Sequence, residues 1–345
     1  MVYNDYFPPP EKDGGWRTEN PSNLGIDSKQ LKLAINYHDH EDLTTSYGGS
    51  LIIVYKGHII AETYVTGKSG GPQPWNRQTC NDVKSSTKSI FGTAVGAFLH
   101  EYKERINLDT PLTGTSQEDS LIQQMWDQPL TDERKKKIRV KHVLSMTSGH
   151  ESTEPWLASS PRHHHKGYNG SFQMYEYCFG WWHFEGVPAQ HTLLFEPGHG
   201  FNYSNFGLEQ MALAMRNISG EHIGPYTYNR ARARSRLGYL WLRRGRWNSK
   251  QLVPEDWMKQ ATTRFRQANG EAPMNYGYTF WIHDEGDTVP RDTFASRGHS
   301  INDCYIIPSL DLVIARQGNN NPPREQRNHF VKTLLGKIIS ALPGK

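Results

Sequence analysis

Ser85 and Lys88 are the residues whose types and spacing first suggest chemistry. They stand three apart in DVKSSTKSIFGTAVGAFLHEY, residues 82–102, and Lys88 is followed by eleven uncharged residues, Ser89 to Leu99. On a helix that starts at Ser85 the two side chains share one face, a turn apart. A serine hydroxyl attacks a carbonyl when a neighbouring base takes its proton. A poorly solvated ammonium gives up its own proton more readily, so a lysine at the head of an apolar helix can be that base. The backbone N–H of Ser85, at a helix N-terminus, can point at the oxyanion that forms. Ser-x-x-Lys occurs once in the chain, as chance alone would allow. The bland alternative is a lysine snorkelling from a helix end.

Two further stretches bear on the same chemistry. FNYSNFG holds the one Tyr-x-Asn of the chain, Tyr203-Ser204-Asn205, after a turn-rich approach and before a helical pattern. A phenol beside a lysine can relay protons to a leaving group or from a water, and Asn205 can hold Lys88 or a substrate carbonyl. ASRGHSINDCYIIP carries Arg297, Gly298, His299 and Ser300 next to a strand pattern. A glycine at a strand edge admits close approach of a substrate. A main-chain N–H there would complete an oxyanion hole with that of Ser85, while Arg297 and His299 offer charge or hydrogen bonds. YEYCFGWWHFEG gathers aromatics that can line an acyl pocket or fill core, with Trp181 and Trp182 the better pocket candidates.

Other signals read as background. His163-His164-His165 invites a metal, but adjacent loop histidines converge poorly and no glutamate stands at a zincin spacing, so a surface loop is the better reading. Seven arginines between residues 230 and 246 could bind a polyanion. The net charge of only +4 points instead to a solvated face with local ion pairs, and to no nucleic-acid partner. Cys80, Cys178 and Cys304 are too dispersed for a disulfide framework or zinc ribbon. No apolar run is long enough to span a bilayer, which excludes a membrane helix. MVYNDYFPPPEKDGG is not a secretory leader, which favours a cytoplasmic protein; a leader removed earlier would make it periplasmic or secreted. Oligomeric state is left open.

The elements that must position these residues are legible in outline. With 345 residues, 36% hydrophobic and 21% charged, the chain can bury a sizeable core. GIDSKQLKLAINYHD predicts a helix capped by Asp27 or Ser28, with Leu31, Leu33, Ala34 and Ile35 as its apolar stripe. SLIIVYKGHIIAETYV predicts a hairpin about Lys56-Gly57. VKHVLSMTSG predicts a short helix stopped at Gly149, NFGLEQMALAMRNISG a helix ending at Gly220, and PEDWMKQATTRF one opening at Pro254. Short β patterns return after residue 275, and a final helix spans EQRNHFVKTLLGKIISAL. Strands at both ends with helices between predict an α/β (α+β) fold. One antiparallel sheet is built from both chain ends, 1–84 with 266–345, and a mostly helical lobe, 85–265, is inserted.

Taken in order, these stretches resemble the serine β-lactamase-like superfamily, closest to its branch of class C β-lactamases, family VIII carboxylesterases and 6-aminohexanoate-dimer hydrolases. SLIIVYKGHIIAETY is similar to the family's N-terminal hairpin, SSTKSIFGTAVG to its nucleophile segment, NLDTPL with IRVKHVLSMTSG to the segment that follows, and FEPGHGFNYSNFG to its tyrosine motif. RLGYLWLRRGRWNSKQLVPEDWM, NYGYTFWI and FASRGHSINDCYIIPSLDLVIARQG follow in family order. The resemblance implies a β-lactamase/transpeptidase-like fold and a cofactor-free serine hydrolase acting through an acyl-enzyme on small esters or amides. Ser85 would be acylated, Lys88 would be its proton partner and Tyr203 the general acid and base. The N–H groups of Ser85 and His299 would bind the oxyanion, with Asn205 as a supporting contact. Two departures bear on activity. The usual Lys-Thr-Gly or His-Thr-Gly is Arg297-Gly298-His299-Ser300 here, and Ile301 and Asn302 stand where esterase relatives carry Gly and Gln. Only EHIGPYTYNRARARS separates Gly220 from RLGYLWL, where relatives have several tens of residues. The alternatives are therefore β-lactamase or D-peptidase activity, or a catalytically weakened binding protein on the same fold.

Overall fold

The computed structural model describes residues 6–68, 74–114, 119–122, 132–150, 193–221, 236–268, 275–283, 288–320 and 322–344. In chain order its main elements are α1 (Ser28–His40), β1 (Gly49–Tyr55), β2 (His58–Val65), α2 (Ser86–Glu101), α3 (Val140–Leu144), α4 (Asn205–Ser219) and α5 (Leu237–Leu242). There follow β3 (Arg246–Trp247), β4 (Lys250–Gln251), α6 (Glu255–Ala261), β5 (Trp281–Ile282), β6 (Phe294–Gly298), β7 (Asn302–Ile307), β8 (Leu312–Gly318) and α7 (Arg324–Ser340). The chain divides into two compact units: Met1–Ile90, Ala233–Thr262 and Phe280–Lys345 form one, Phe91–Arg232 and Thr263–Thr279 the other. Residues 233–262, expected in the helical lobe, thus group with the sheet.

In the first unit Lys56 and Gly57 both take positive φ, 48° and 79°, the pair of left-handed residues that a two-residue hairpin needs to match strand twist. They join β1 to β2, with Tyr55 opposite His58. From the other end of the chain β8 pairs antiparallel with β1, Ile53 opposite Ile314. β7, β6 and β5 then add outward, giving one sheet in the order β2-β1-β8-β7-β6-β5. Strand alternation sorts the side chains. Leu51, Ile53, Tyr55, Ala295, Tyr305, Ile307, Leu312 and Ile314 share a buried cluster with Leu31 and Ala34 of α1 and Phe330, Leu334 and Ile338 of α7. Each such large side chain contributes about 1.5–3 kcal/mol when fully buried. α5 lies on the opposite face, where Gly238 abuts Cys304 and Val313.

Two expectations change here. The Asp27 carboxylate caps α1, accepting from the N–H groups of Lys29 (2.9 Å) and Gln30 (3.1 Å). Leu33, however, is 51% exposed; two residues from Leu31 it sits nearly opposite on the helix, and His38 completes the buried stripe instead. The arginine stretch is not uniformly solvated. Arg243 is buried and forked onto Asp311 at 2.7 and 3.2 Å, and buried Arg236 donates to the carbonyls of Pro8 and Pro9.

In the second unit α3 packs on α4, burying Val140, Val143 and Leu144 on one side and Leu208, Met211 and Met215 on the other. α3 ends at Leu144 and not near Gly149. Met146 turns the chain with φ 61°, and the Lys141 carbonyl accepts both the N–H (3.0 Å) and the hydroxyl (2.7 Å) of Ser145. Among the described residues no helix is long and apolar enough to cross a membrane.

Candidate active site

Ser85 immediately precedes α2, so its own N–H lies outside the helical ladder. One turn on, the Lys88 ammonium nitrogen donates to Ser85 Oγ at 3.0 Å. Both residues are half-buried. Beyond them Ser89, Thr93, Ala94, Val95 and Phe98 are all buried, and they carry the helix into apolar surroundings. The predicted pair is thus assembled by helix geometry alone.

The head of α2 is fastened to the end of β6. Buried Ser86 donates through Oγ to the Asn302 carbonyl, and Ser296 Oγ donates to the Ser86 carbonyl at 3.1 Å. A Cβ on Gly298 would stand 2.2 Å from the Val83 carbonyl oxygen and 3.1 Å from the Ser86 nitrogen. That contact explains the glycine: main chain meets main chain beside Ser85. His299 follows directly and is exposed. Gly298 N–H donates to Asp303 Oδ1 at 3.1 Å, and His299 opens the turn between β6 and β7.

Arg297 does not join the Ser85 side. Ser296 and Gly298 face α2, so the residue between them faces away. The Arg297 guanidinium lies 3.6 Å from Asp303 Oδ2 and 5.9 Å from the centre of the Trp281 ring. Ser300 is buried with φ 64°, a turn residue between β6 and β7.

Asn302, in sequence a departure from relatives, is a structural hub. Its Oδ1 accepts from Asn81 Nδ2 (3.0 Å) and the Gly318 N–H (3.1 Å), and its Nδ2 donates to the His299 carbonyl (2.7 Å). Ser86, Ser296 and Asn81 are not singled out by the sequence, and Asn302 stands out there only as a departure from the motif, not as a hydrogen-bonding centre. The only local signal was the second hydroxyl of Ser85-Ser86-Thr87.

Tyr203 and Asn205 belong to the second unit. Tyr203 sits just ahead of α4, edge-on to fully buried Tyr276 at 6.1 Å and 86°. Burial, and then Tyr203 itself, push the Tyr276 phenol well above its ordinary range, so it stays protonated. The Tyr203 loop is tied to the segment after α3: Asn202 N–H donates to the Met146 carbonyl (2.9 Å), its Nδ2 to the His150 carbonyl (2.7 Å), and Gly198 N–H to the Thr147 carbonyl (2.8 Å). VKHVLSMTSGH therefore serves to hold the tyrosine loop. His150 is buried, touches Gln210 Nε2 at 2.8 Å, and is pushed down to about 3 by burial and then by Lys135. Asn205 is the first residue of α4. Trp181, Trp182 and the histidine triplet lie outside the described residues. Among the described residues no cluster of three or more His, Cys, Asp or Glu could hold a metal ion.

A hydroxyl under an amine at the head of a buried helix, against a strand of an antiparallel sheet built from both chain ends, is the architecture of the β-lactamase/transpeptidase-like fold. The sequence model of the beta-lactamase family matches residues 41–232, more than half of the chain, and the chain belongs to that family. No curated protein matches it in sequence. Among solved structures it is similar to a candidate beta-lactamase from Bacteroides dorei DSM 17855, with 13% identity, 93% of this chain and 100% of that one covered, and TM-score 0.67. It is similar as well to a candidate 6-aminohexanoate-dimer hydrolase from Bacillus anthracis (19% identity, 97% and 90% covered, TM-score 0.63). A third is a family VIII carboxylesterase (14% identity, 92% and 98% covered, TM-score 0.57). Members of the family are serine hydrolases.

Proposed function

We propose that this chain hydrolyses small, uncharged esters or amides through an acyl-enzyme on Ser85. The observation that carries the reading is the 3.0 Å bond from Lys88 Nζ to Ser85 Oγ at the head of α2. In the proposed reaction neutral Lys88 takes the hydroxyl proton as Ser85 Oγ bonds to the acyl carbon. The carbonyl oxygen becomes an oxyanion facing the N–H groups of Ser85 and His299. The C–O or C–N bond then breaks, Tyr203 delivers a proton to the departing alcohol or amine, and the ester on Ser85 remains. Water attacks that ester, the Tyr203 phenolate takes its proton, and the Lys88 ammonium returns a proton to Ser85 Oγ as the acid leaves. Lys88 and Tyr203 together thus play the part that a single histidine plays elsewhere.

The preference for uncharged acyl groups follows from β6. Its side chains on the α2 side are Phe294, Ser296 and Gly298, none charged, while Arg297 is engaged with Asp303 behind the strand. A substrate carboxylate, as on a β-lactam or a D-peptide terminus, would find no cation from this strand. The neighbours named as a 6-aminohexanoate-dimer hydrolase and a family VIII carboxylesterase support the ester or amide class, without bearing on the charge of the acyl group.

A fluorophosphonate probe tests the reading: labelling that disappears in Ser85→Ala supports it, and a folded, unlabelled wild-type protein rejects it. A panel of short p-nitrophenyl esters, linear oligoamides and a chromogenic cephalosporin tests the substrate class. Turnover of the esters or oligoamides is expected; a cephalosporin cleaved faster than either would reverse the preference.

A further inference from the structure

Behind the oxyanion strand lies a charged group that the reaction does not use. Asp303 of β7 has a side chain with 0% exposure. Its carboxylate accepts from Gly298 N–H (3.1 Å), from Arg327 Nη2 of α7 (2.9 and 3.1 Å) and from the Tyr305 hydroxyl (3.0 Å), with Arg297 Nε at 3.6 Å. The same Arg327 nitrogen donates to the Gly298 carbonyl at 3.3 Å. Beside it buried Arg316 of β8 donates through Nη1 to the carbonyls of Ser300 (2.9 Å) and Ile301 (3.2 Å). Asn302 holds the carbonyl of His299. Four successive carbonyls, 298 to 301, are therefore each gripped by a side chain.

This arrangement answers a local weakness. β5 pairs only with Phe294 and Ala295, so Ser296 to Gly298 are laddered on the β7 side alone. The turn beyond takes φ 64° at Ser300 and 56° at Ile301, and a β-branched residue is unfavourable in the left-handed region. A one-sided strand end running into a strained turn would not by itself hold an N–H to within a fraction of an ångström. Burying a carboxylate among arginines is a poor way to gain stability, because an apolar cluster of equal volume does as well. It does fix orientation through many directional bonds.

We propose that Asp303 and Arg327 are positioning residues for catalysis: with Arg316 they clamp residues 298–301 from behind and aim the His299 N–H at the reacting oxygen. The kinetic half of this proposal rests on the hydrolase reading above; the structural half does not. The test uses the full-length protein. Asp303→Asn leaves the guanidinium groups uncompensated and risks unfolding, so Arg327→Met, at a side chain 24% exposed, carries the experiment, with Arg327→Lys as the conservative variant. Hydrogen–deuterium exchange reads the peptide covering 298–302, and fluorophosphonate labelling per folded molecule reads Ser85. In Arg327→Met exchange at 298–302 rises tenfold or more with β1 unchanged, labelling slows about tenfold, and ester turnover loses kcat with KM within twofold. Arg327→Lys recovers part of both. Unchanged exchange at 298–302 overturns the proposal whatever the activity, as does faster exchange with wild-type labelling. If wild-type protein is never labelled at Ser85, the hydrolase reading fails, and the exchange result alone upholds or overturns the clamp.

Discussion

Gly298→Ala adds one methyl group where the structure has least room for it. The new carbon would lie 2.2 Å from the carbonyl oxygen of Val83 and 3.1 Å from the nitrogen of Ser86. Carbon and oxygen approach no closer than about 3.2 Å without strong repulsion, so the parts must separate by about 1 Å. Neither neighbour is a side chain that can swing aside. Val83 and Ser86 are main chain at the head of α2, and Ser86 is bonded to both Ser296 and Asn302. The backbone at Gly298 has φ −123°, which alanine adopts without strain, so the penalty is steric and local. Displacing an oxyanion donor by about 1 Å costs roughly 100-fold in acylation, about 2.7 kcal/mol of transition-state stabilisation. Overpacking adds roughly 1–3 kcal/mol of lost stability. The assay is the second-order rate of fluorophosphonate labelling and the kcat of p-nitrophenyl ester hydrolysis, each per folded molecule, beside a thermal melt. Gly336→Ala is the control, since nothing lies within 4 Å of its would-be Cβ on α7; that change should leave activity intact and raise stability by about 0.5–1 kcal/mol. Wild-type labelling in Gly298→Ala would refute the claim that the β6 end is held against the nucleophile.

Lys88→Ala should slow acylation by about 100- to 10,000-fold with little change in melting temperature; near-normal ester turnover would reject Lys88 as the proton acceptor. Ser86→Ala removes a buried donor to the Asn302 carbonyl, so urea denaturation should report a loss of about 1–3 kcal/mol, whereas Ser85→Ala should abolish turnover at almost no cost in stability. Burial holds His150 down to about 3 and His142 down to about 4. Below the ordinary value of 6.5 the unfolded chain binds these protons and the folded chain does not, so stability should fall with decreasing pH between about 6.5 and 4. The slope is about 1.4 kcal/mol per pH unit for each histidine titrating only when unfolded. His150→Gln should flatten that slope in denaturation curves at pH 7, 6 and 5, and an unchanged slope would contradict the assignment.

Elements set by neighbours in sequence were legible before any coordinates. Asp27 caps α1 because its carboxylate needs only the next turn's N–H groups. The Lys56-Gly57 turn declares its hairpin for the same reason, and Ser85 meets Lys88 because a helix brings residues three apart together. The stripe of α1 was misread at Leu33, where a nearby apolar residue was counted without its angle about the axis. The early stop of α3 goes with the left-handed backbone of Met146, φ 61°, which a right-handed helix cannot continue through and which nothing in its residue type announces.

Tertiary structure alone decided what stands around Ser85. Whether Arg297 faces the substrate or the back of the sheet depends on the register of β6 with β7, Arg297 opposite Asp303, and a slip of one residue would reverse it. The partners of Asn302 come from residues 81, 299 and 318 and from Ser86, and those of Asp303 from residues 297, 298, 305 and 327. The Ser85–Lys88 pair at the helix head and the order of the motifs could be read along the chain, because both are written in short spacings. Folding decided which charges reach that head and which are turned behind the strand, because long-range strand pairing, and no local rule, sets the face on which a side chain falls.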